Sequence, residues 1–176
     1  MAAAKVVFLD RDGTINVDRD YVHRVSDWKF ADGAPAALKK LRNAGYQLAI
    51  VTNQSGIGRG YYTLEDMNTV HEHMRKELHE HGVTIDALAF CAHDPDDNCG
   101  CRKPATGMAK QIEEQIGEIN YAASWSVGDR EKDIQFGTNI GVATALLKSR
   151  HWNPANLSVT PDLVVSSLWD FAVQIS

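Results

Sequence analysis

The sequence predicts an α/β fold, a parallel sheet covered by helices on both faces, from two observations. Six short apolar runs recur along the chain, at Val6–Leu9, Leu48–Val51, Ala87–Phe90, Trp125–Val127, Val142–Leu147 and Leu163–Val165. Runs this short and this continuously apolar read as strands buried on both sides. Segments of helical period lie between them, and alternation of strand and helix is the pattern of a doubly covered parallel sheet.

The first strand, Val6–Leu9, follows the opening Met1-Ala2-Ala3-Ala4-Lys5 directly. Residues 15–33 come next, longer than the roughly 2–6 residues of an ordinary strand-to-helix connection, and are read as a short lid. A helix then starts at Pro35, carries Ala37, Leu38 and Leu41 on one face, and stops at Gly45. After the second strand, Thr63-Leu64-Glu65-Asp66 resembles a capping box and opens a helix with Leu64, Met67, Val70, Met74 and Leu78 on its inner face. Its histidines, His71, His73, His79 and His81, include no i, i+4 pair that would set two metal ligands on one face, so they read as a solvated polar face. Residues 91–104, after the third strand, form a second long loop.

A chain of 176 residues suffices for one domain, taken as 1–176, burying about 70% of its unfolded surface. The net charge of −5 and the lack of any Lys/Arg block leave no footprint for nucleic acid or an acidic membrane. The chain start lacks signal-peptide character, and no segment approaches the ~18 apolar residues of a span. A cytoplasmic monomer acting on a small molecule is the expectation.

Four short pieces, each just after an apolar run, carry the chemistry: Asp10-Arg11-Asp12-Gly13-Thr14, Val51-Thr52-Asn53, Arg102-Lys103-Pro104 and Gly128-Asp129-Arg130-Glu131-Lys132-Asp133. Ligands of open α/β sheets gather beyond the carboxyl ends of the strands, where these pieces lie. Asp10 there can attack phosphorus and form an aspartyl-phosphate. Asp12 can protonate the leaving oxygen and later deprotonate water. A calcium loop is the alternative for Asp-x-Asp-Gly, but its twelfth position, where a Glu belongs, is Tyr21. Thr52 offers a hydroxyl to phosphoryl oxygens, with Asn53, Gln54 and Ser55 extending the donor set. Lys103 supplies a compact positive charge and Arg102 a planar fork for a second phosphate or a hydroxyl. Asp129 completes an Mg2+ site with the Asp10 carboxylate and the Asp12 backbone carbonyl, while Asp133 orients metal-bound water or Lys103.

All three cysteines fall within eleven residues, in Cys91-x-His93 and Cys99-x-Cys101. Four soft or borderline ligands on one loop form a tetrahedral Zn2+ set, and with every position filled by protein the ion is structural. Buried free cysteines are the alternative, yet a loop rich in Asp, Asn, Gly and Pro has little core to enter. The ion would fix the loop presenting Arg102 and Lys103.

On these residues the chain resembles the haloacid dehalogenase superfamily, since Asp10-x-Asp12, Thr52, Lys103 and Asp129 match its four motifs in order. Cys91-x-His93 and Cys99-x-Cys101-Arg102-Lys103-Pro104 are similar to the zinc-loop group, which holds heptose bisphosphate and histidinol phosphate phosphatases. The resemblance implies a three-layer α/β/α, Rossmann-like sheet with a lid insertion and a zinc-binding loop. Asp10 would be the nucleophile and Asp12 the acid and base; Thr52 and Lys103 would stabilise the phosphoryl group, with Asp129 a magnesium ligand. Arg102 and Arg130 would contact substrate, and Asp18, Arg19, Asp20, Tyr21, Asn53, Gln54 and Ser55 would line its pocket. The words Asp10–Asp18, Tyr21–His23 and Thr52–Tyr61 imply a sugar bisphosphate as substrate, cleaved at C7 of a heptose 1,7-bisphosphate on the way to nucleotide-activated heptose for lipopolysaccharide or surface glycan. The short His93–Cys99 spacing and Asp133-Ile134-Gln135 leave histidinol phosphate as the alternative. A non-catalytic, zinc-stabilised sugar-phosphate binder is a third reading, against which Asp12 speaks, since a binder needs no proton donor.

Overall fold

The computed structural model describes residues 3–176. Six parallel strands form one sheet: β1 (Val6–Leu9), β2 (Gln47–Asn53), β3 (Ala87–Cys91), β4 (Trp125–Gly128), β5 (Ala143–Leu147) and β6 (Leu163–Val165), in the spatial order β3-β2-β1-β4-β5-β6. The helices are α1 (Ala34–Asn43), the single turn α2 (Ser55–Gly58), α3 (Leu64–Glu80), α4 (Gly107–Ile116), α5 (Glu131–Ile140) and α6 (Leu168–Ile175). This is the three-layer α/β/α, Rossmann-like arrangement that the resemblance implies. No helix among the described residues is long and apolar enough to cross a membrane.

Strand alternation divides the core in two. Val7 and Leu9 of β1 face α1, α3 and α6, through Leu38, Leu41, Val70, Met74 and Phe171. Val6 and Phe8 face α4 and α5, through Met108, Ile112 and Phe136. Phe8 packs edge-on against Phe136 at 6.0 Å between ring centroids, so Phe8→Ala removes about 3–5 kcal/mol of burial and packing. With both faces covered, β1 has no polar residue until Asp10, and that is where the chain leaves the sheet.

Helix starts follow the chemistry expected of them. Pro35 lies in the first turn of α1. At α3, Thr63 accepts from the Asp66 backbone N–H while Asp66 accepts from the Thr63 N–H, a complete capping box. Two side chains of α3 depart from the sequence reading. Leu64 is 46% exposed, because it sits in the first turn before the helix reaches the core. His71 is 5% exposed, and is therefore not part of a solvated face; it turns inward to a buried guanidinium. His73, His79 and His81 stay away from the core, with His73 3.3 Å from Glu77.

Residues 15–33 are tied down along most of their length. Ile15, Val22 and Trp28 join the core, and backbone bonds from Val17 to Lys29 and from Ala31 to Ile15 make a short ladder. The segment from 18 to 21 projects outward. Between β1 and β4 the strand order reverses, leaving a crevice at the carboxyl edge where the four sequence pieces meet.

Candidate active site

Asp10 stands just past β1, its backbone N–H donating to the Val127 carbonyl at 3.0 Å, so the β1–β4 register sets where its carboxylate begins. The next turn is tight: the Arg11 carbonyl accepts from the N–H groups of Ile15 and Asn16, and Gly13 donates to the Asn16 carbonyl. Gly13 has φ +83°, and a Cβ there would lie 2.3 Å from an Asp129 oxygen. Glycine thus serves both the turn and the approach of Asp129.

Lys103, 2% exposed, reaches under the β2 edge to the centre of the site. Its Nζ donates to Asp10 Oδ1 at 3.0 Å, Asp133 Oδ1 at 2.7 Å and the Val51 carbonyl at 2.7 Å. Burial opposes its charge, but Asp10 and Asp133 hold the ammonium above its ordinary range. Truncating it would leave buried carboxylates uncompensated, at a cost of about 3–5 kcal/mol. Asn53 steadies the lysine's backbone, accepting from its N–H at 3.0 Å and donating to its carbonyl at 3.3 Å.

Asp133 lies in the first turn of α5, and its second oxygen accepts the Arg130 N–H at 3.1 Å. Its carboxylate folds back over the end of β4, where a Cβ on Gly128 would come within 2.2 Å of it. Asp129, 1% exposed, is different: neither carboxylate oxygen has a hydrogen-bond partner. Burial, with Asp10 and Asp133 beside it, pushes its carboxyl up to about 7. Burial likewise lifts Asp10 to about 6, Lys103 working against the rise and Asp133 and Asp12 adding to it. Asp10, Asp129 and Asp133 each bring an oxygen within 4.8 Å of the others. Three buried carboxylates against one lysine, with Asp129 bare, fit a hard divalent cation such as Mg2+.

Asp12 points away from that cluster. Its Oδ1 accepts from Asn16 at 2.9 Å and Arg11 at 3.0 Å, and its Oδ2 from Gln54 at 3.0 Å. The Asp12 carboxylate is thus held at the cavity, which it lines. Gln54 in turn donates to Thr52 Oγ1 at 2.8 Å and accepts from Tyr62 at 2.5 Å, a buried chain in which Thr52 keeps its own O–H to donate. Burial pushes the Tyr62 phenol up to about 12, so it remains a donor.

Above this floor is a cavity of about 300 Å³. Of the predicted substrate contacts, Asp18, Asp20, Tyr21, Asn53, Gln54, Ser55, Arg102 and Arg130 line it; Arg19 is exposed and outside the lining. Arg59, Tyr62 and Lys132 line it as well. Asp18 accepts from Arg130 at 3.1 Å and lies 2.9 Å from His151 Nε2, and Arg150 bonds Asp20 at 2.7 Å. Burial opposes the Asp18 charge, but His151, the Asp20 N–H and Arg130 hold its carboxyl below the usual range. Arg102 Nη1 is buried without a partner. Lys132 forms no salt bridge among the described residues, and burial lowers its ammonium despite Asp133 and Asp10 nearby. Sequence reasoning did not single out Tyr62, Lys132, Arg150 or His151. Lys132 lay inside a quoted motif, whereas Arg150 and His151 sit in irregular chain after β5 that carries no pattern.

Behind Lys103, Cys91, His93, Cys99 and Cys101 converge. Sulfur separations are 3.0 Å (Cys91–Cys101), 3.4 Å (Cys91–Cys99) and 3.6 Å (Cys99–Cys101), and His93 Nδ1 lies 3.2 Å from Cys101 and 3.4 Å from Cys91. The cysteines are free thiols. A tetrahedron with Zn–S bonds of ~2.3 Å has edges of about 3.7 Å, so this quartet needs only slight opening to hold a metal ion.

Known proteins give the same picture. The family model described as polynucleotide kinase 3 phosphatase matches residues 5–149. A D-glycero-beta-D-manno-heptose-1,7-bisphosphate 7-phosphatase of Haemophilus ducreyi is 39% identical, with 98% of each chain covered. The enzyme of the same name in Helicobacter pylori J99 is 41% identical over 84% of each chain. A crystal structure of a D,D-heptose 1,7-bisphosphate phosphatase from B. bronchiseptica, complexed with magnesium and phosphate, superposes with a TM-score of 0.86 at 32% identity over 97% of each chain.

Proposed function

The chain belongs to the polynucleotide kinase 3 phosphatase family of haloacid dehalogenase-type phosphatases, and from that premise we propose that it hydrolyses the C7 phosphate of D-glycero-D-manno-heptose 1,7-bisphosphate. One observation supports a bisphosphate above all. Beyond the lysine committed to the floor, the cavity keeps cations without carboxylate partners, Arg102 and Lys132, while the acidic rim residues Asp18 and Asp20 are taken up by Arg130, His151 and Arg150. An amine such as that of histidinol phosphate would find those carboxylates already paired; a second phosphate would find donors waiting.

In the proposed mechanism Lys103 holds Asp10 Oδ1, and Asp10 attacks phosphorus through its other oxygen. The O–P bond to the carboxylate forms as the bond to the sugar oxygen breaks, and Asp12 passes its proton to that oxygen. Asp12, now a carboxylate kept in place by Arg11, Asn16 and Gln54, takes a proton from water. The water oxygen attacks phosphorus, releasing inorganic phosphate and restoring Asp10. Lys103 and the Thr52 hydroxyl face the negative charge of the phosphoryl group. Asp129 and Asp10, with the Asp12 carbonyl, would hold Mg2+, which would supply Lewis-acid neutralisation of the phosphoryl oxygens. Zn2+ on Cys91, His93, Cys99 and Cys101 would fix the loop that presents Arg102 and Lys103. Metal analysis should find one equivalent of zinc per chain, and markedly less in Cys99→Ser; a full equivalent in that variant contradicts the ligand set.

Measuring kcat/KM side by side on both anomers of the heptose bisphosphate and on histidinol phosphate tests the substrate. The better heptose anomer is expected to lead histidinol phosphate by at least about a hundredfold, the discrimination available when donors placed for a second phosphate are left unpaired. A lead for histidinol phosphate contradicts the reading.

A further inference from the structure

Arg11 has no exposed surface, and the carboxylate beside it belongs to Asp12. A guanidinium donates at every nitrogen and keeps its charge in a protein, so its buried N–H groups need acceptors. Nη2 has two, Asp12 Oδ1 at 3.0 Å and the Val22 carbonyl at 2.7 Å. Nη1 has one, Nε2 of His71, 3.1 Å away on α3, and Nε has none among the described residues.

Since Arg11 can only donate, His71 Nε2 must be the unprotonated nitrogen, and the ring proton sits on Nδ1. Burial, and then the Arg11 charge, push His71 down to about 3, which keeps the ring a neutral acceptor. Its neighbours on the inner face of α3 are Met67, Val70, Met74 and Leu78. A polar ring among them has no packing rationale of its own. The helix delivers the acceptor that meets Arg11 Nη1.

We propose that His71 is a positioning residue for the acid–base carboxylate: by accepting from Arg11 Nη1 it fixes the guanidinium plane, so that Nη2 holds Asp12 Oδ1 toward the leaving oxygen. The same Nη2 grips the Val22 carbonyl, just after the rim segment that lines the cavity. One buried donor set therefore couples the proton donor to the rim. The inference rests on the reading of Asp12 as acid and base.

Leaving-group dependence tests it, because p-nitrophenolate departs without a proton while a sugar oxygen does not. kcat/KM is the quantity to compare, since it ends at the first irreversible step, formation of the aspartyl-phosphate. His71→Leu keeps bulk without an acceptor, His71→Asn is polar but short, and His71→Gln can bring a carbonyl back toward Arg11. For the heptose bisphosphate, Leu and Asn variants should lose about tenfold to a hundredfold, part of the full effect of general acid catalysis. For p-nitrophenyl phosphate they should lose less than about threefold, and Gln should recover most of the deficit at similar melting temperature. Should the Leu variant not fold, the Asn and Gln pair carries the comparison. Equal losses on both substrates, no loss on the bisphosphate, or a Gln variant no better than Asn overturns the proposal. Asp12→Asn is the reference. If it is selective between the two leaving groups and the His71 variants are not, this inference alone fails; if it is itself unselective, the reading of Asp12 fails and takes the inference with it.

Discussion

On the floor of the cavity, Asp10, Lys103, Asp129 and Asp133 are each at most 7% exposed; on the rim, the side chains of Asp20 and Arg150 are 66% and 54% exposed. The two layers hold similar charges in opposite environments. On the floor, low polarity strengthens each ion pair and makes each unpaired oxygen costly. Rim pairs such as Arg150–Asp20, in water, contribute roughly 0–1 kcal/mol each. A floor of this kind is set before substrate arrives, whereas a rim of this kind can exchange one partner for another at little cost. Backbone strain follows the same division: Asp20 and Tyr21 on the rim have φ of 53° and 54°, in the left-handed region that non-glycine residues avoid. The lesson is that bond breaking is assigned to rigid, desolvated groups and substrate choice to movable, solvated ones.

The largest effect should come from the floor. Asp10→Asn removes the nucleophile, and kcat should fall at least about ten-thousandfold, with the melting temperature kept or raised because a desolvated carboxylate is gone. Steady-state assays beside a thermal melt check both parts. Turnover within tenfold of the parent would erase the distinction between floor and rim.

A rim change should act on selection. Arg102→Ala should lower kcat/KM for the bisphosphate by about ten- to a hundredfold while leaving a sugar monophosphate within about threefold, since the lost donor serves only a second phosphate. Equal losses on both substrates would move Arg102 into the floor.

The smallest of the expected changes concerns pH. Asp129 near 7 and Asp10 near 6 are raised above the usual carboxylate value of 3.8, so the metal-free fold keeps protons that the unfolded chain has released. Their contribution to stability is fully present below about pH 4 and is lost as pH climbs through 6 to 7. Magnesium must displace those protons at pH 5.5 but not at pH 8. Titration calorimetry should therefore show affinity about tenfold weaker, or more, at pH 5.5, with a larger magnesium-induced rise in melting temperature at pH 8. Affinity independent of pH would mean that Asp129 is not the cation's ligand.

The sequence carried the floor and most of the cavity lining, but not the partners that hold the rim. Val6–Leu9 and Trp125–Val127 are apolar because both faces of the sheet are covered, and a polar residue just past such a strand marks the reactive edge; Asp10 and Asp129 were legible for that reason. Cys91, His93, Cys99 and Cys101 were legible from spacing within one loop. His71 was misread as solvated because it was judged by its polarity; its spacing from Met67, Met74 and Leu78 puts it on the inner face, and no local pattern shows that a buried arginine waits there. Arg150 and His151 reach Asp20 and Asp18 across 130 and 133 residues of chain, from a stretch with no period or motif to announce it. Contacts of that kind are made by tertiary structure alone.

Trapping the intermediate tests the floor most directly. Enzyme quenched during turnover and treated with borohydride should have an acyl phosphate reduced to the alcohol, and peptide mass spectrometry locates it. Reduction at Asp10, dependent on substrate and abolished in Asp12-containing enzyme that lacks only magnesium, is the expected result. Reduction at another carboxylate, or unmodified Asp10 in enzyme quenched while phosphoenzyme accumulates from labelled substrate, would contradict it.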